Sequence, residues 1–202
     1  MLRHGNCLSI SIAADLVLGL AERCKALSVE ELFSESGIHS VHGAKVERIV
    51  GPAFQGHLPP HNFHPVVVEG VRPLVPSDIP HLRSLQAASD PREWEHSSLS
   101  EDLNSAFGCF IEGQLAAVCR IIMRSDLAAD FGVLTHPHHR GRNLAKAVVS
   151  ASVEEALRRG FLLVYQTLLS NKPAVGIAKA LGFEEYGQSL AARFKEMEPQ
   201  SR

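Results

Sequence analysis

The chain has 202 residues, a formal net charge of −2 and a pI near 6.6. Hydrophobic residues make up 45% of it and charged residues 21%, which excludes disorder, collagen and coiled coil as descriptions of the whole chain. The near-neutral charge supplies no basic field for nucleic acid or an anionic membrane surface. We therefore expect neither nucleic acid nor a membrane as a partner, and no apolar run reaches the ~18 residues of a membrane helix.

Four cysteines are spread along the chain, and none forms a CxxC pair. Their spacing predicts no zinc knuckle, no redox pair and no disulfide scaffold, so we expect reduced thiols and a cytoplasmic location. The segment Cys7–Ala21 is the nearest to a signal peptide, but Asp15 interrupts its apolar run.

Residues 1–63 are predicted to form a small N-terminal α/β lobe. Leu16, Leu20 and Cys24 recur at helical spacing. Ser28 and Glu31 have the spacing of a capping box, which predicts a short helix after Ser28.

A short strand over residues 45–50 is predicted to end at Gly51-Pro52. The Pro-rich segment that follows, 56–65, is interpreted as the connector to a second domain over residues 66–202. His57, His61 and His64 lie in this connector, but three histidines in a Pro-broken loop share no common face. We therefore expect no bound metal.

From residue 66 onward, strand-like and helix-like segments alternate. The predicted elements are a strand over 66–74, a helix with Ser77 as N-cap, hairpin strands 107–111 and 115–123, a strand over 128–135, a helix over 142–159, a strand over 161–167, a helix over 171–181 and a strand over 187–194. A hairpin followed by βαβ units predicts an α/β (α+β) fold class, with a mixed sheet and helices on both faces.

The most informative stretch runs from Phe131 to Ala145: a strand, a Pro-marked turn, a basic Gly loop and the start of a helix. Unpaired N–H groups and the helix dipole favour an anion at such a helix start, and Arg140 and Arg142 add positive charge. A pyrophosphate suits the loop, which is neither a Walker A nor a GxGxxG motif. The alternative is a plain turn at Gly141 with two solvated arginines.

The sequence Arg140-Gly-Arg-Asn-Leu-Ala145 resembles the acyl-CoA-binding motif of the GNAT superfamily of N-acyltransferases, with Asn143 where the family usually has Gly. Asn tolerates a left-handed backbone better than most residues, so the loop can keep its shape. A second match follows, in which Asn171 begins a helix that ends at Leu-Gly182-Phe. The resemblance covers about residues 66–194.

This resemblance implies a mixed, mostly antiparallel, twisted GNAT-like sheet, and transfer of an acetyl group from acetyl-CoA to a primary amine by direct attack. It also implies that strands 128–135 and 161–167 splay apart to admit the cofactor's pantetheine arm. The cofactor-binding residues it implies are Val133, Leu134, Thr135, Arg140, Gly141, Arg142, Asn143, Leu144, Ala145 and Asn171.

Proton transfer is less well specified, because the position of the family's usual acidic Tyr holds Ala178 here. Tyr186, Tyr165 or a water could serve instead, and Tyr186 is the first choice. Asp130 is the candidate base, since a protonated amine is not a nucleophile. A backbone N–H at Val133 or Leu134 is the candidate donor to the oxyanion.

For the acceptor, Glu93, Trp94, Glu95 and His96 are candidate binding residues, placed by the sequence in a loop after the first helix of the second domain. The alternative is a solvated charged loop anchored by Trp94. The acidic residues favour a cationic acceptor, a small molecule or a protein amine. A catalytically diverged acyl-CoA sensor and an interaction module are the alternative functions, and the oligomeric state is open, a homodimer included.

Overall fold

The structure is a computed structural model that describes residues 1–12, 17, 19–42 and 46–194. Its fold is mixed α/β with a mostly antiparallel sheet, which confirms the predicted fold class. Within the described residues no helix is long and apolar enough to cross a membrane. The described elements are β1 (Leu2–His4), β2 (Cys7–Ser9), α1 (Leu20–Lys25), α2 (Val29–Leu32), α3 (Glu35–His42), β3 (Val46–Leu58), β4 (Val71–Pro73), α4 (Ile79–Ala88), α5 (Pro91–Ser97), β5 (Ala106–Ile111), β6 (Gln114–Met123), β7 (Ala128–Thr135), α6 (Leu144–Arg158), β8 (Leu162–Leu168), α7 (Lys172–Ala180) and β9 (Glu184–Phe194).

The chain divides into two compact units, and the first comprises residues 1–55, 167–171 and 185–202. Its strands lie in the order β2-β1-β9-β3, and β1 pairs antiparallel with both β2 and β9. The capping box is confirmed: the Ser28 Oγ accepts the Glu31 N–H, and the Glu31 carboxylate accepts the Ser28 N–H. The predicted helical residue Leu16 lies outside the described residues, and α1 begins at Leu20.

The strand expected to end at Gly51-Pro52 continues to Leu58, so that predicted boundary is wrong. Gly51 has a φ of 129°, which residues with a Cβ rarely adopt, and a Cβ there would lie 2.6 Å from the Ser189 carbonyl oxygen. The glycine therefore lets the strand pass close to its neighbour instead of ending it. Beyond it, Phe54 is fully buried, which gives the continued strand a core face.

The second unit comprises residues 56–166 and 172–184. Its strands lie in the order β8-β7-β6-β5-β4; β4 to β7 pair antiparallel and β7 with β8 parallel. A core cluster packs α4 onto this sheet, with Leu82 and Leu85 each 1% exposed. The predicted lobe boundary near residue 63 stays a prediction.

Two predicted elements of the second unit differ from the structure. The strand expected over 66–74 is reduced to β4, because a turn at Glu69-Gly70 precedes it and Val67 is exposed, so that its side chain lacks the buried face a strand position needs. Helix α4, the first helix predicted in the second domain, has Asp78 at its N-cap instead of the predicted Ser77. Asp78 is drawn into a 3₁₀ turn because its carboxylate accepts the Val75 N–H and pairs with Arg72 through two bonds of 2.7 and 2.8 Å.

The remaining boundaries fall within a few residues of their predicted positions. The hairpin between strands 107–111 and 115–123 is confirmed, but its connection is the two residues Glu112 and Gly113, both with positive φ, because Gln114 already belongs to β6. Gly160 and Gly182, with φ of 81° and 99°, follow α6 and α7 as predicted. Strand β9 begins three residues earlier than expected, at Glu184.

Candidate functional site

The basic Gly loop connects β7 to α6 through a 3₁₀ turn at Pro137–His139. Gly141 has a φ of 75°, and Asn143, the N-cap of α6, has φ 61° and ψ 12°. Asn143 thus takes the left-handed conformation that the sequence suggested it would tolerate in place of Gly. The first N–H groups of the 15-residue helix α6 have no carbonyl partner one turn earlier within the helix, so the loop can bind an anion through its backbone.

Strand β7 is paired along its whole length on one side and only briefly on the other. Its antiparallel ladder with β6 runs from Ala129 to Thr135. Among the described residues, its parallel ladder with β8 has two pairs, Ala128 with Leu162 and Ala129 with Leu163. Beyond these pairs the two strands are no longer in register as a ladder, so the β8-facing edge of β7 can accept an extended ligand as an added strand.

Asp130 lies where the β7–β8 ladder ends, and its carboxylate is almost fully buried. The Arg124 guanidinium donates to its Oδ2 at 2.5 and 3.1 Å, and the Phe131 and Gln166 N–H groups donate to its Oδ1 at 2.8 and 3.4 Å. Burial raises the pKa of the Asp130 carboxyl above its ordinary value, although these donors oppose the rise. The Gln166 bond joins β8 to the carboxylate at the point where the ladder opens.

Residues 90–97, expected to be a loop, form the helix α5, so that expectation is wrong. Asp90 is its N-cap and accepts the Arg92 N–H at 2.8 Å, and Pro91 occupies the first helical position. The helix rests directly on β7 at Gly132, where a Cβ would lie 2.0 Å from the Ser97 carbonyl oxygen. Gly132 therefore permits a close approach of α5 to the strand.

The four candidate acceptor residues of α5 have different environments. Trp94 packs against the core cluster of the second unit, which supports its role as the anchor of the helix. Glu95 and His96 are exposed. Glu93 pairs with Arg140 of the basic loop at 2.6 Å, so the structure joins a candidate acceptor residue to a candidate cofactor residue.

The histidines before the basic loop form a hydrogen-bonded network that is short of acceptors. His136 Nδ1 accepts the His138 N–H at 3.2 Å, and His136 Nε2 lies 3.1 Å from Gln114 Nε2. That amide also contacts His139 Nε2, while His139 Nδ1 faces the Arg142 guanidinium at 3.0 Å. A neutral His136 that accepts at Nδ1 carries its proton on Nε2, so this nitrogen and the Gln114 NH₂ group face each other as two donors.

The tyrosine and asparagine candidates lie in different units. Tyr165, in the second unit, is buried against Phe131 and Phe183, and burial raises its pKa. Tyr186 and Asn171 belong to the first unit. The Tyr186 carbonyl accepts a hydrogen bond from His4 Nδ1, and the Asn171 N–H donates to the Leu168 carbonyl at 2.9 Å.

The strand cysteines are buried thiols. Cys109 and Cys119 have no exposed surface, and burial raises the pKa of both, to about 12 for Cys119. A thiolate nucleophile is therefore disfavoured at both positions. In the described part of the chain no cluster of three or more metal-ligating side chains is present.

Four residues that the sequence did not indicate contribute to this site: Arg124, Gln166, Gln114 and Gly132. Each acts through a partner on another element, so local spacing carried no signal for it. Gln114 alone had a usable position, as the last residue of the predicted hairpin connection.

Comparisons with known proteins found a matching family and similar solved structures. The Acetyltransferase (GNAT) family matches residues 76–183. A GNAT-family protein from Novosphingobium aromaticivorans has 25% identity and a TM-score of 0.57, over 73% of this chain and 67% of that chain. A GNAT-family acetyltransferase from Colwellia psychrerythraea has 16% identity and a TM-score of 0.60, over 75% of this chain and 59% of that one. No curated protein matches significantly in sequence.

Proposed function

Because the chain belongs to the GNAT acetyltransferase family, we propose that it transfers an acetyl group from acetyl-CoA to a primary amine of an acceptor. The observation that carries this proposal is the loop 140–143, in which Asn143 is left-handed at the start of α6. The loop follows a strand whose β8-facing edge has no ladder pair beyond Ala129 among the described residues. An anion site and an extended-ligand edge then adjoin each other, as a cofactor with a pyrophosphate and a peptide-like arm requires.

We assign the pyrophosphate to the backbone of Arg140, Gly141, Arg142, Asn143, Leu144 and Ala145, and the pantetheine arm to Val133 and Thr135. Asn171 is proposed to contact the arm, as the family resemblance implies. The exposed side chains of Arg140 and Arg142 support the assignment, because they add positive charge beside these backbone N–H groups. No metal is needed for the transfer.

In the reaction, the neutral amine nitrogen attacks the thioester carbonyl carbon, the C–N bond forms, and the C–S bond then breaks. The oxyanion is proposed to accept the N–H of Val133 or Leu134. The CoA sulfur leaves with the electron pair and takes up the proton that the amine loses. A thiol with a pKa near ~8.5 leaves with modest assistance, so the general acid contributes less than the base.

Asp130 stays the candidate base, but its contacts favour a positioning role. A carboxylate that accepts from Arg124, Phe131 and Gln166 must give up a bond before it can take a proton. We therefore propose that Asp130 holds the end of the β7–β8 ladder. Tyr186 remains the first candidate acid, with Tyr165 and a water as the others.

The alternative function is an acyl-CoA sensor without catalysis. It is favoured by Ala178, a fully buried residue at the position of the family's usual acidic Tyr. A cytoplasmic location, proposed from the free cysteines, and a homodimer are compatible with both functions.

The test incubates the full chain with acetyl-CoA and a panel of primary amines, and measures the thiol released. The proposal expects release that depends on one class of amine. Binding of acetyl-CoA without amine-dependent release would favour the sensor, and absence of both would contradict the two together.

A matched pair of variants locates the cofactor site. Arg142→Ala removes a loop arginine, and we expect acetyl-CoA binding about five-fold weaker, the loss of one exposed charge contact. Arg158→Ala removes an exposed arginine near the other end of α6, where it pairs with Glu155, and should bind acetyl-CoA as the wild type does. Equal losses in both variants would contradict the assigned site.

A further inference from the structure

The ion pair between Arg140 and Glu93 links the basic loop to α5. Arg140 Nη2 lies 2.6 Å from Glu93 Oε2, and both side chains are about half exposed, 48% and 43%. Glu93 and Ser97 are one helical turn apart, so they share the face of α5 that meets β7. Glu93 therefore lies at the edge of the strand proposed to hold the cofactor, although it is 47 residues from Arg140 in the sequence.

The Arg140 side chain also adds positive charge to the loop that is proposed to bind the cofactor's pyrophosphate, so two anions compete for one cation. An exposed ion pair between one carboxylate and a guanidinium is a weak interaction. A pyrophosphate carries more negative charge and presents several acceptor oxygens to the same guanidinium. Binding of the cofactor should therefore draw Arg140 away from Glu93. The Glu93 carboxylate is then left without its cation, on the face of α5 beside the cofactor strand.

We infer that Glu93 alternates between two partners: Arg140 in the free protein, and a cationic group of the acceptor once the cofactor is bound. This inference rests on the proposed function and deepens it. It makes the acceptor an amine with a second positive charge, of the polyamine or basic side-chain class. It also sets an order, because the acceptor's binding group becomes available after the cofactor has bound.

The first experiment measures binding of CoA by calorimetry to the wild type, Glu93→Gln, Arg140→Ala and the double variant. Glu93→Gln removes the competing anion and should tighten CoA binding about two- to five-fold, the range of an exposed ion pair. In the Arg140→Ala background the same substitution should have no effect. Glu101→Gln is the matched control, because Glu101 forms an exposed 2.6 Å pair with Arg83 outside the loop, and it should leave CoA binding unchanged.

Weaker binding of CoA to Glu93→Gln would mean that Glu93 merely holds Arg140 in place, and would overturn the inference. An unchanged affinity would overturn it as well, while leaving the proposed function intact. If the folded wild type bound no CoA at all, the proposed function itself would fail.

The second experiment titrates spermidine, a polyamine probe, into each protein with and without saturating CoA. In the wild type CoA should tighten spermidine binding about two- to five-fold, because it frees Glu93. In Glu93→Gln this linkage should disappear. Equal spermidine affinity with and without CoA in the wild type, or the same linkage in Glu93→Gln, would overturn the inference.

Discussion

Replacing Gly132 by Ala tests whether α5 packs directly against β7. The new Cβ would lie 2.0 Å from the Ser97 carbonyl oxygen and 3.0 Å from Ile122 Cδ1. The isoleucine methyl can rotate away, but the carbonyl is backbone, so the end of α5 must retreat by about 1 Å to restore normal contact. Such overpacking costs about 1–3 kcal/mol of unfolding free energy.

The single tryptophan of the chain, Trp94, lies on α5 and reports on this movement directly. We expect Gly132→Ala to unfold at lower urea concentration, and its Trp94 emission to shift to longer wavelength as the indole leaves the core. Binding of acetyl-CoA should also weaken, because the retreat of α5 removes the packing that supports β7.

The control is Gly176→Ala, in α7, where a Cβ would meet no atom within 4 Å. This substitution should stabilise the protein by about 0.5–1 kcal/mol, since Ala is the better helix former. If Gly132→Ala were as stable as the wild type, with unchanged Trp94 emission, the packing of α5 on β7 would be refuted.

Three further predictions concern the loop, the pH dependence of stability and the candidate base. Asn143→Gly should bind acetyl-CoA as well as the wild type, whereas Asn143→Ala should bind it several-fold more weakly, because a left-handed Ala costs about 1 kcal/mol; equal Kd values from calorimetry would contradict the assigned backbone. The Arg72 side chain lowers the pKa of Asp78 to about 2, so the pair should contribute about 1 kcal/mol above pH 4 that is lost as the pH falls from about 4 to 2. Urea midpoints across this range should show that loss in the wild type and not in Asp78→Asn. Asp130→Asn should raise the KM for acetyl-CoA and leave the pH profile of kcat unchanged; loss of the acidic limb of that profile would show instead that Asp130 is the base.

The features of the fold that were predicted correctly depend on residues that are close together in the sequence. The capping box at Ser28 and the hairpin turn at Glu112-Gly113 depend on neighbouring residues, and the structure has both. The left-handed Asn143 is of the same kind, because the conformational range of one residue decides it. These features need no distant partner, so their spacing is sufficient.

The misassigned segments depend on contacts that spacing does not reveal. Helix α5 has seven residues, too few to be stable alone, and it forms because Asp90 caps it and Trp94 packs on the core. The Asp90-Pro91 pair was a usable N-terminal signal, but the charged residues that follow it favoured a loop. The strand predicted over 66–74 was too long, because a run of valines indicated a strand at positions where the structure has none. Val67, in that run, is exposed.

In the candidate site, the basic loop was predictable and its partners were not. A strand, a turn and a Gly-Arg loop before a helix indicate an anion site from their order alone. The pairing of Arg140 with Glu93 and the contact of Gly132 with Ser97 join elements far apart in the sequence. The anion-binding character of the loop therefore followed from the order of its residues, acetyl transfer was what the GNAT resemblance implied, and the Arg140–Glu93 ion pair required the fold.

Titration of acetyl-CoA into the full chain, with heat measured directly and Trp94 emission recorded in parallel, tests the proposed cofactor site. We predict saturable binding at one site per chain, with affinity reduced in Arg142→Ala and retained in Arg158→Ala. A folded protein that takes up no acetyl-CoA, or one whose affinity is the same in all three forms, would contradict it.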